Sequence, residues 1–478
     1  MNWNNCKFRF LSIDIENIKN IGYGKLSVNG YTEKKGWSSY NYEKADVFGI
    51  YGQNGSGKSS AIEAMFILKL LVSGVAFYDK KRDENFLSKF ITINKNTIHL
   101  SAQFLINDEN ETNLIKYDVT FYAEKKNEIY IQNESFYVHP LHSVKAISKI
   151  DYTVDTPTLI EPKTLYKALK KDSKENIIVM EMCNRLNKMN STSFLFQKQK
   201  EEIKNLYNID EVFNYLTCFQ KYIKSNFIII PQDFTSFSLR CDTLPLEIKE
   251  VIEDENEYIG LQYLFSQSLS IQKTKEAVSY INELDTVISS IIPDFHIRLK
   301  IVGPQLARNG ETENVVEVVC NRNSIELPLS NESSGVKKLL SILHALIVVH
   351  NKSDIFIGID DIDSNISEYL IGEILSMISE SGQGQLFFTA HNLYPLELLN
   401  KNCVYFTTTN MDNRFIHFKY LKPKHNLRNE YLKTIRLGGQ DEEIYKSFKI
   451  GKIRLAFHSA GKEVKAFVDD KVNFESGE

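Results

Sequence analysis

The chain has 478 residues, enough for two or three domains around a large core. Its 42% hydrophobic and 25% charged residues are those of a globular protein and exclude a disordered or fibrous one. The net charge of −4 excludes a uniformly basic nucleic-acid coat, although Arg414 to Lys465 carry 13 Lys and Arg against 5 Asp and Glu, which leaves −12 on the rest.

In chain order, Phe8 to Ile15 alternates as a first strand and is followed by a polar turn, Glu16 to Asn20. Val47 to Tyr51 is an apolar, β-branched and aromatic run that predicts a buried strand. Behind it, Gly52-Gln53-Asn54-Gly55-Ser56-Gly57-Lys58-Ser59 fits the pattern G-x-x-x-x-G-K-[ST], and Ser60 to Phe66 opens a helix. Strand, glycine loop and helix form the arrangement that cradles a nucleoside triphosphate: backbone N–H groups close on the phosphates and the helix N-terminus adds partial positive charge. Gly52, Asn54, Gly55, Ser56, Gly57, Lys58, Ser59 and Ser60 are the candidate phosphate contacts; Lys58 reaches the β- and γ-phosphates and the Ser59 hydroxyl ligates Mg²⁺. Trp37, Tyr40 and Tyr42 suit stacking on adenine or packing in the core or a loop.

Three alternating runs, Thr97 to Ile106, Leu114 to Ala123 and Glu128 to Val138, predict an antiparallel set. His139 and His142 follow without a Cys or acid to complete a zinc set and read as strand-end surface residues. Residues 162–225 read as helical, Phe227 to Ile230 as a strand ending in Pro231-Gln232, and 245–291 as helical again, with acids crowded at Glu247 to Glu257. Strands return from His296. Between Asn331 and His391 the pattern is helix, strand, helix, strand, as in a nucleotide-binding α/β core.

Within that stretch, Ile355 to Ile359 is an apolar strand ending in Asp360-Asp361. Asp360 suits a metal ligand and Asp361 a general base, although paired acids at a strand end also cap helices. Leu386 to Ala390 is a second apolar strand, ending in His391, which suits the γ-phosphate or the attacking water or a structural role. Ser333-Ser334-Gly335 precedes an amphipathic helix and can cap it while offering N–H groups to an anion. The basic segment after Arg414 suits nucleic acid, an acidic protein partner or a plain solvated face. No internal repeat or sustained heptad run is present, so long coiled arms are not expected. The six cysteines form no C-x-x-C pair and point to thiols in a reducing compartment. No apolar run approaches the ~20 residues of a membrane span, and no apolar stretch follows the first ten residues as in a signal peptide, so a cytoplasmic protein with no membrane contact is expected.

Together these pieces resemble the ABC-type ATPases of the SMC, RecF and OLD-like group, and more closely the arm-less ATPases of bacterial anti-phage, abortive-infection systems such as PARIS and Septu. The resemblance rests on Ile15 to Lys19, the phosphate loop, Glu134 to Tyr137, Glu332 to Gly335, Ile359 to Ser364 and Thr389 to Asn392. It implies an α/β fold: an ABC-type P-loop NTPase head with an antiparallel β-layer and a helical insertion. The implied division is 1–160 as an N-terminal ATPase lobe, 161–295 as the insertion, 296–412 as a C-terminal ATPase lobe and 413–478 as a basic segment. It also implies ATP and Mg²⁺ as cofactors. Ser333, Ser334 and Gly335 become the signature that contacts the γ-phosphate held by an opposite subunit, so that ATP joins two heads into a dimer or a higher homo-oligomer. Asp363 falls in the loop across that interface, His391 is the switch histidine, and Gln232 is placed as the glutamine that senses Mg²⁺, or is an ordinary residue after a strand.

Three departures accompany the resemblance. Asp361 stands where the relatives carry Glu, which implies slow hydrolysis. Asn365-Ile366-Ser367-Glu368 replaces a frequent His-Pro. The 87 residues after His391 contain no acid cluster of a TOPRIM nuclease, so a toxic activity is expected on another polypeptide. The implied role is an ATPase that senses a phage protein or DNA and controls a separate effector, a nuclease; the competing reading is a DNA-repair or recombination ATPase that clamps DNA. A transporter ATPase fits poorly because of the long insertion.

Overall fold

The computed structural model describes residues 6–28, 42–81, 83–107, 112–125, 128–140, 148–154, 159–161, 174–197, 211–231, 243–245, 260–262, 266–307, 310–322, 325–419, 426–446 and 449–460. A six-stranded sheet runs in the order Phe227–Ile230, Phe356–Ile359, Gln385–Thr389, Asp46–Tyr51, Val404–Thr407, Phe415–Ile416. Its first five strands are parallel and the last is antiparallel. These strands are apolar nearly throughout because both faces are covered. Their period of two divides them between two cores. Phe48, Ile50, Phe227, Phe356 and Phe387 pack with the helix Lys58–Val72. Val47, Tyr51, Ile357, Leu386 and Phe388 pack with the helices Ser334–Asn351 and Glu368–Ser381.

The first core continues into a seven-stranded antiparallel sheet, in the order Leu159–Glu161, Ser148–Thr153, Ile129–Pro140, Thr112–Ala123, Thr97–Asn107, Lys7–Ile18, Ile21–Ser27. The three alternating runs of the sequence form its centre. The pair at the N-terminus and two short strands extend it, because Phe10, Ile13 and Ile15 pair across to Thr97–Asn107 and bury on the same face as Leu100 and Phe104. Within this layer Glu134 is fully buried, and its carboxylate accepts from the Tyr117 hydroxyl (2.6 Å), the Ser193 hydroxyl (2.6 Å) and the amides of Phe194 and Leu195. A buried carboxylate needs such donors to offset its desolvation.

The helical reading of 245–291 changes in its first half. The described residues there form short strands, Thr243–Pro245, Gly260–Gln262 and Gln267–Ser270, before the helix Ile271–Ile291 begins. Gln267–Ser270 joins an antiparallel sheet with Phe295–Leu306, Thr312–Arg322 and Ile325–Pro328, so pairing with a distant strand outweighs the local helical pattern. Ser270 Oγ then caps the helix, accepting from the Lys273 amide at 3.2 Å. The acid-rich stretch Glu247 to Glu257 lies outside the described residues. Among the described residues no helix is long and apolar enough to cross a membrane.

Between the helices Ile271–Ile291 and Ser334–Asn351, His344 lies against the Tyr280 ring (4.9 Å between centroids), with Nδ1 buried and without a partner. Burial pushes its pKa down to about 4, with a smaller push from Lys352. Because the folded value lies below the unfolded one, the stability of the neutral ring is fully present above about pH 6.5. It is lost as pH falls toward about 4. Between pH 7 and 4 the melting temperature of the wild type should therefore fall a few degrees further than that of His344→Phe. Parallel slopes for the two proteins would show that this histidine carries no such linkage.

Candidate functional site

Asp46–Tyr51 is an interior strand of the parallel sheet, and the chain leaves its end into the glycine loop. Gly57 has φ +98° at the N-cap of Lys58–Val72, a left-handed conformation that a side chain makes costly. At Gly52 a Cβ would lie 1.7 Å from Thr407 Oγ1, so the end of Val404–Thr407 presses directly on the loop. Thr407 Oγ1 also bonds Ser56 Oγ at 2.6 Å. Lys58 Nζ donates to the loop's own carbonyls, Gly52 (2.9 Å) and Gln53 (3.2 Å). Burial lowers its pKa, while Asp360, Asp361 and Asp363 act in the opposite sense. Asn54, Gly55 and Ser59 are exposed at the mouth of the loop, whereas Ser60 is buried and its hydroxyl donates to Asn20 Oδ1 at 3.3 Å.

Two strands away, Phe356–Ile359 delivers Asp360, and the intervening Gln385–Thr389 delivers His391. The loops after these strands are joined at three points. Thr389 Oγ1 donates to Asp360 Oδ1 at 2.5 Å and accepts from the Asp361 amide at 2.8 Å. Asp363 Oδ2 accepts from the amides of His391 (2.9 Å) and Asn392. Glu368 Oε1 accepts from the amides of Leu393 (3.0 Å) and Tyr394 (2.7 Å). Asp360 and Asp363 are buried, whereas the His391 side chain is half exposed and its Nε2 lies 3.8 Å from Asp361 Oδ1. Asp361 holds φ +52°. Burial and then Asp363 raise its pKa, with His391 opposing them. A carboxylate raised in this way and facing a histidine is suited to taking a proton from water.

Ser333 caps the helix Ser334–Asn351, its Oγ accepting from the Val336 amide at 3.3 Å. Ser333 and Ser334 are exposed. A Cβ on Gly335 would lie 2.4 Å from the Asn365 carbonyl, so this helix start rests on the acid loop. Asp363, expected to face a second subunit, turns its carboxylate inward, and its Oδ1 is buried without a hydrogen-bond partner. Gln232, Trp37, Tyr40 and His142 lie outside the described residues. Tyr42 packs against the buried pair Leu11 and Leu105.

Several contacts at the loop escaped the sequence reading. Asn20, in the turn between the first two strands, donates to the Gly55 carbonyl. Lys19 beside it pairs with Glu63 of the loop's helix at 2.5 Å. Arg414 is buried and donates to the carbonyls of Asn20 and Thr408, so it does not belong to the basic surface in which the sequence counts it. The Gln53 side chain bonds the Lys446 backbone, accepting from its amide at 3.0 Å and donating to its carbonyl at 3.4 Å. Glu442, bonded to Asn410 and Asn413, and Glu443, whose carbonyl accepts from the Thr409 amide at 2.7 Å, hold the same C-terminal strap. Thr389 was not singled out either, although a threonine closing the apolar run Leu386 to Phe388 was a local signal.

The residues present fit a nucleotide with a hard cation. A Cβ at Gly55 would meet open space, and the same loop carries Lys58 and ends at a helix N-terminus. A serine hydroxyl and one aspartate are a donor set for Mg²⁺ whose remaining ligands are phosphate oxygens and water. Among the described residues no group of three or more His, Cys, Asp and Glu forms a metal cage by itself.

A parallel sheet with the histidine strand between the phosphate-loop and acid strands, an antiparallel layer on one face and a serine-capped helix on the other give the α/β arrangement that the sequence predicts for an ABC-type P-loop NTPase head. No family model matches the chain, and no curated protein matches it. Among solved structures it is similar to an SMC head bound to the C-winged helix domain of ScpA, at 13% identity over 86% of this chain and 98% of that one, with a TM-score of 0.42. It is also similar to the SMC head domain from Thermotoga maritima (12% identity, 86% and 99% covered, TM-score 0.35). A third likeness is to the recombination mediator RecF with ATP (12% identity, 80% and 94% covered, TM-score 0.32).

Proposed function

We propose that this protein binds ATP with Mg²⁺, hydrolyses it slowly, and uses it to join two heads or a larger homo-oligomer. Lys58, the loop amides and Ser60's helix turn hold the phosphates, Ser59 and Asp360 hold the cation, and Asp361 with His391 handles the water. Mg²⁺ supplies charge neutralisation at the phosphates when bound. The observation that carries this reading is the exposed N-terminus at Ser333–Ser334, whose first-turn amides lie on a different helix from the phosphate loop of the same chain. A second head that brings its phosphate loop to this terminus completes both sites at once.

We further infer, from the sequence resemblance, a cytoplasmic sensor role in anti-phage defence. ATP-driven assembly would hold or release a separate effector, a nuclease, in response to a phage protein or DNA. The DNA-repair clamp remains the second reading, favoured by the exposed cations Lys446, Lys449, Lys452 and Arg454 near the C-terminal end. Affinity capture from native cells with ATP, followed by mass spectrometry and a nuclease assay, separates the two. A stoichiometric partner with nuclease activity supports the sensor. DNA alone, released by salt and by neutralising those four cations, supports the clamp and ends the sensor reading.

A further inference from the structure

The Thr389 hydroxyl occupies a position that the acids alone do not explain. It is 2% exposed, at the end of Gln385–Thr389, and it touches two consecutive aspartates. A hydroxyl has one proton to donate and lone pairs to accept with. Here the proton goes to Asp360 Oδ1 at 2.5 Å, and a lone pair accepts the Asp361 amide at 2.8 Å. The Thr389 carbonyl accepts the next amide, Ile362, at 3.1 Å. One residue therefore contacts 360, 361 and 362 in turn.

Two consequences follow. The Asp360 carboxylate is held by one oxygen, so its rotation is fixed and its second oxygen stays available. The Asp361 backbone is held at φ +52°, a conformation that a non-glycine residue adopts at some cost, so its carboxylate leaves the strand toward His391.

We propose that Thr389 is the positioning residue of the proposed Mg²⁺–ATP site, setting the Asp360 carboxylate for the cation and the Asp361 carboxylate for the water. This rests on the ATPase reading above. Valine keeps the branched shape and replaces the hydroxyl by a methyl, and serine keeps the hydroxyl and removes the methyl.

The test measures binding of a fluorescent ATP analogue with EDTA and with Mg²⁺, beside steady-state ATP hydrolysis across Mg²⁺ concentrations. For Thr389→Val we expect unchanged affinity in EDTA, loss of most of the gain that Mg²⁺ gives the wild type, and a half-saturating Mg²⁺ concentration raised at least tenfold. Thr389→Ser should return both to within about threefold of wild type. If the valine variant is insoluble, Thr389→Ala carries the same comparison with Ser. A valine or alanine variant with the wild-type Mg²⁺ response, or a serine variant as impaired as either, overturns the proposal. A wild type that neither binds the analogue nor hydrolyses ATP refutes the ATPase reading itself, and the two failures are thereby distinct.

Discussion

Replacing Lys58 by Ala is expected to weaken ATP binding more than about 100-fold and to abolish ATP-dependent assembly. The ammonium makes two hydrogen bonds to loop carbonyls, to Gly52 and Gln53, and the same group would turn to the β- and γ-phosphates. Hydrogen bonds to charged groups contribute ~1.5–3 kcal/mol each, and a factor of 100 needs ~2.7 kcal/mol. The cost to folding is smaller. Ser56 still donates to the Gln53 carbonyl through both its amide and its hydroxyl, and Asn20 and Thr407 still hold the loop from outside. The variant should therefore remain folded, with a melting temperature within a few degrees of wild type. Isothermal titration with ATP and sedimentation with and without ATP check both parts. Wild-type assembly by the alanine variant would separate oligomerisation from the phosphate loop.

How much of this the sequence carried depends on the range of each interaction. The phosphate loop, the strand before it and the helix behind it are local patterns, and each lies where glycine spacing and period-two burial put it. The three alternating runs from Thr97 to Val138 were legible for the same reason: Ile98, Leu100, Ala102 and Phe104 face the first core, while His99 and Gln103 between them are not buried. Asp360, Asp361 and His391 could be named because each follows a short apolar run, and Lys58 because a glycine loop follows another; those runs lie in one parallel sheet.

What was not legible is the choice of distant partners. Gln53 meets Lys446 across 393 positions, and Asn20 meets Gly55 across 35. No local pattern encodes either pairing. A charge count places Arg414 in a basic surface, yet its guanidinium lies beneath the Asn20 turn, bonded to two carbonyls. Residues 245–270 look helical by composition, and the ladder partner that turns Gln267–Ser270 into a strand arrives some forty-five positions later, at Thr312–Arg322. The acid and histidine loops show the same limit on a smaller scale. Asp363 reads as an interface-loop residue and Glu368 only as part of a departure from the relatives, and only the fold reveals that their carboxylates hold the histidine loop by its amides.

That arrangement gives the second large expectation. Asp361→Asn should lower the ATP turnover number by about 10²–10⁴-fold, the contribution of a general base, while ATP affinity stays within about threefold. Assembly should then persist, because the step that would dissolve it is blocked. The electrostatics add a second readout of opposite sign. Burial and Asp363 raise the Asp361 pKa, so the folded protein binds this proton more tightly than the unfolded chain. The ionised carboxylate is thus a destabilising group at neutral pH, and its contribution worsens as pH rises through the interval between the unfolded and folded values. Asparagine removes the charge and keeps the shape, so the melting temperature at pH 7 should be equal to or above that of the wild type. The same raised pKa predicts that wild-type turnover fails on acidification at a higher pH than an ordinary aspartate would give. A folded protein that gains stability as it loses turnover is what a strained carboxylate retained for chemistry produces. A variant that loses stability and keeps turnover would assign Asp361 to the loop and leave the water to His391.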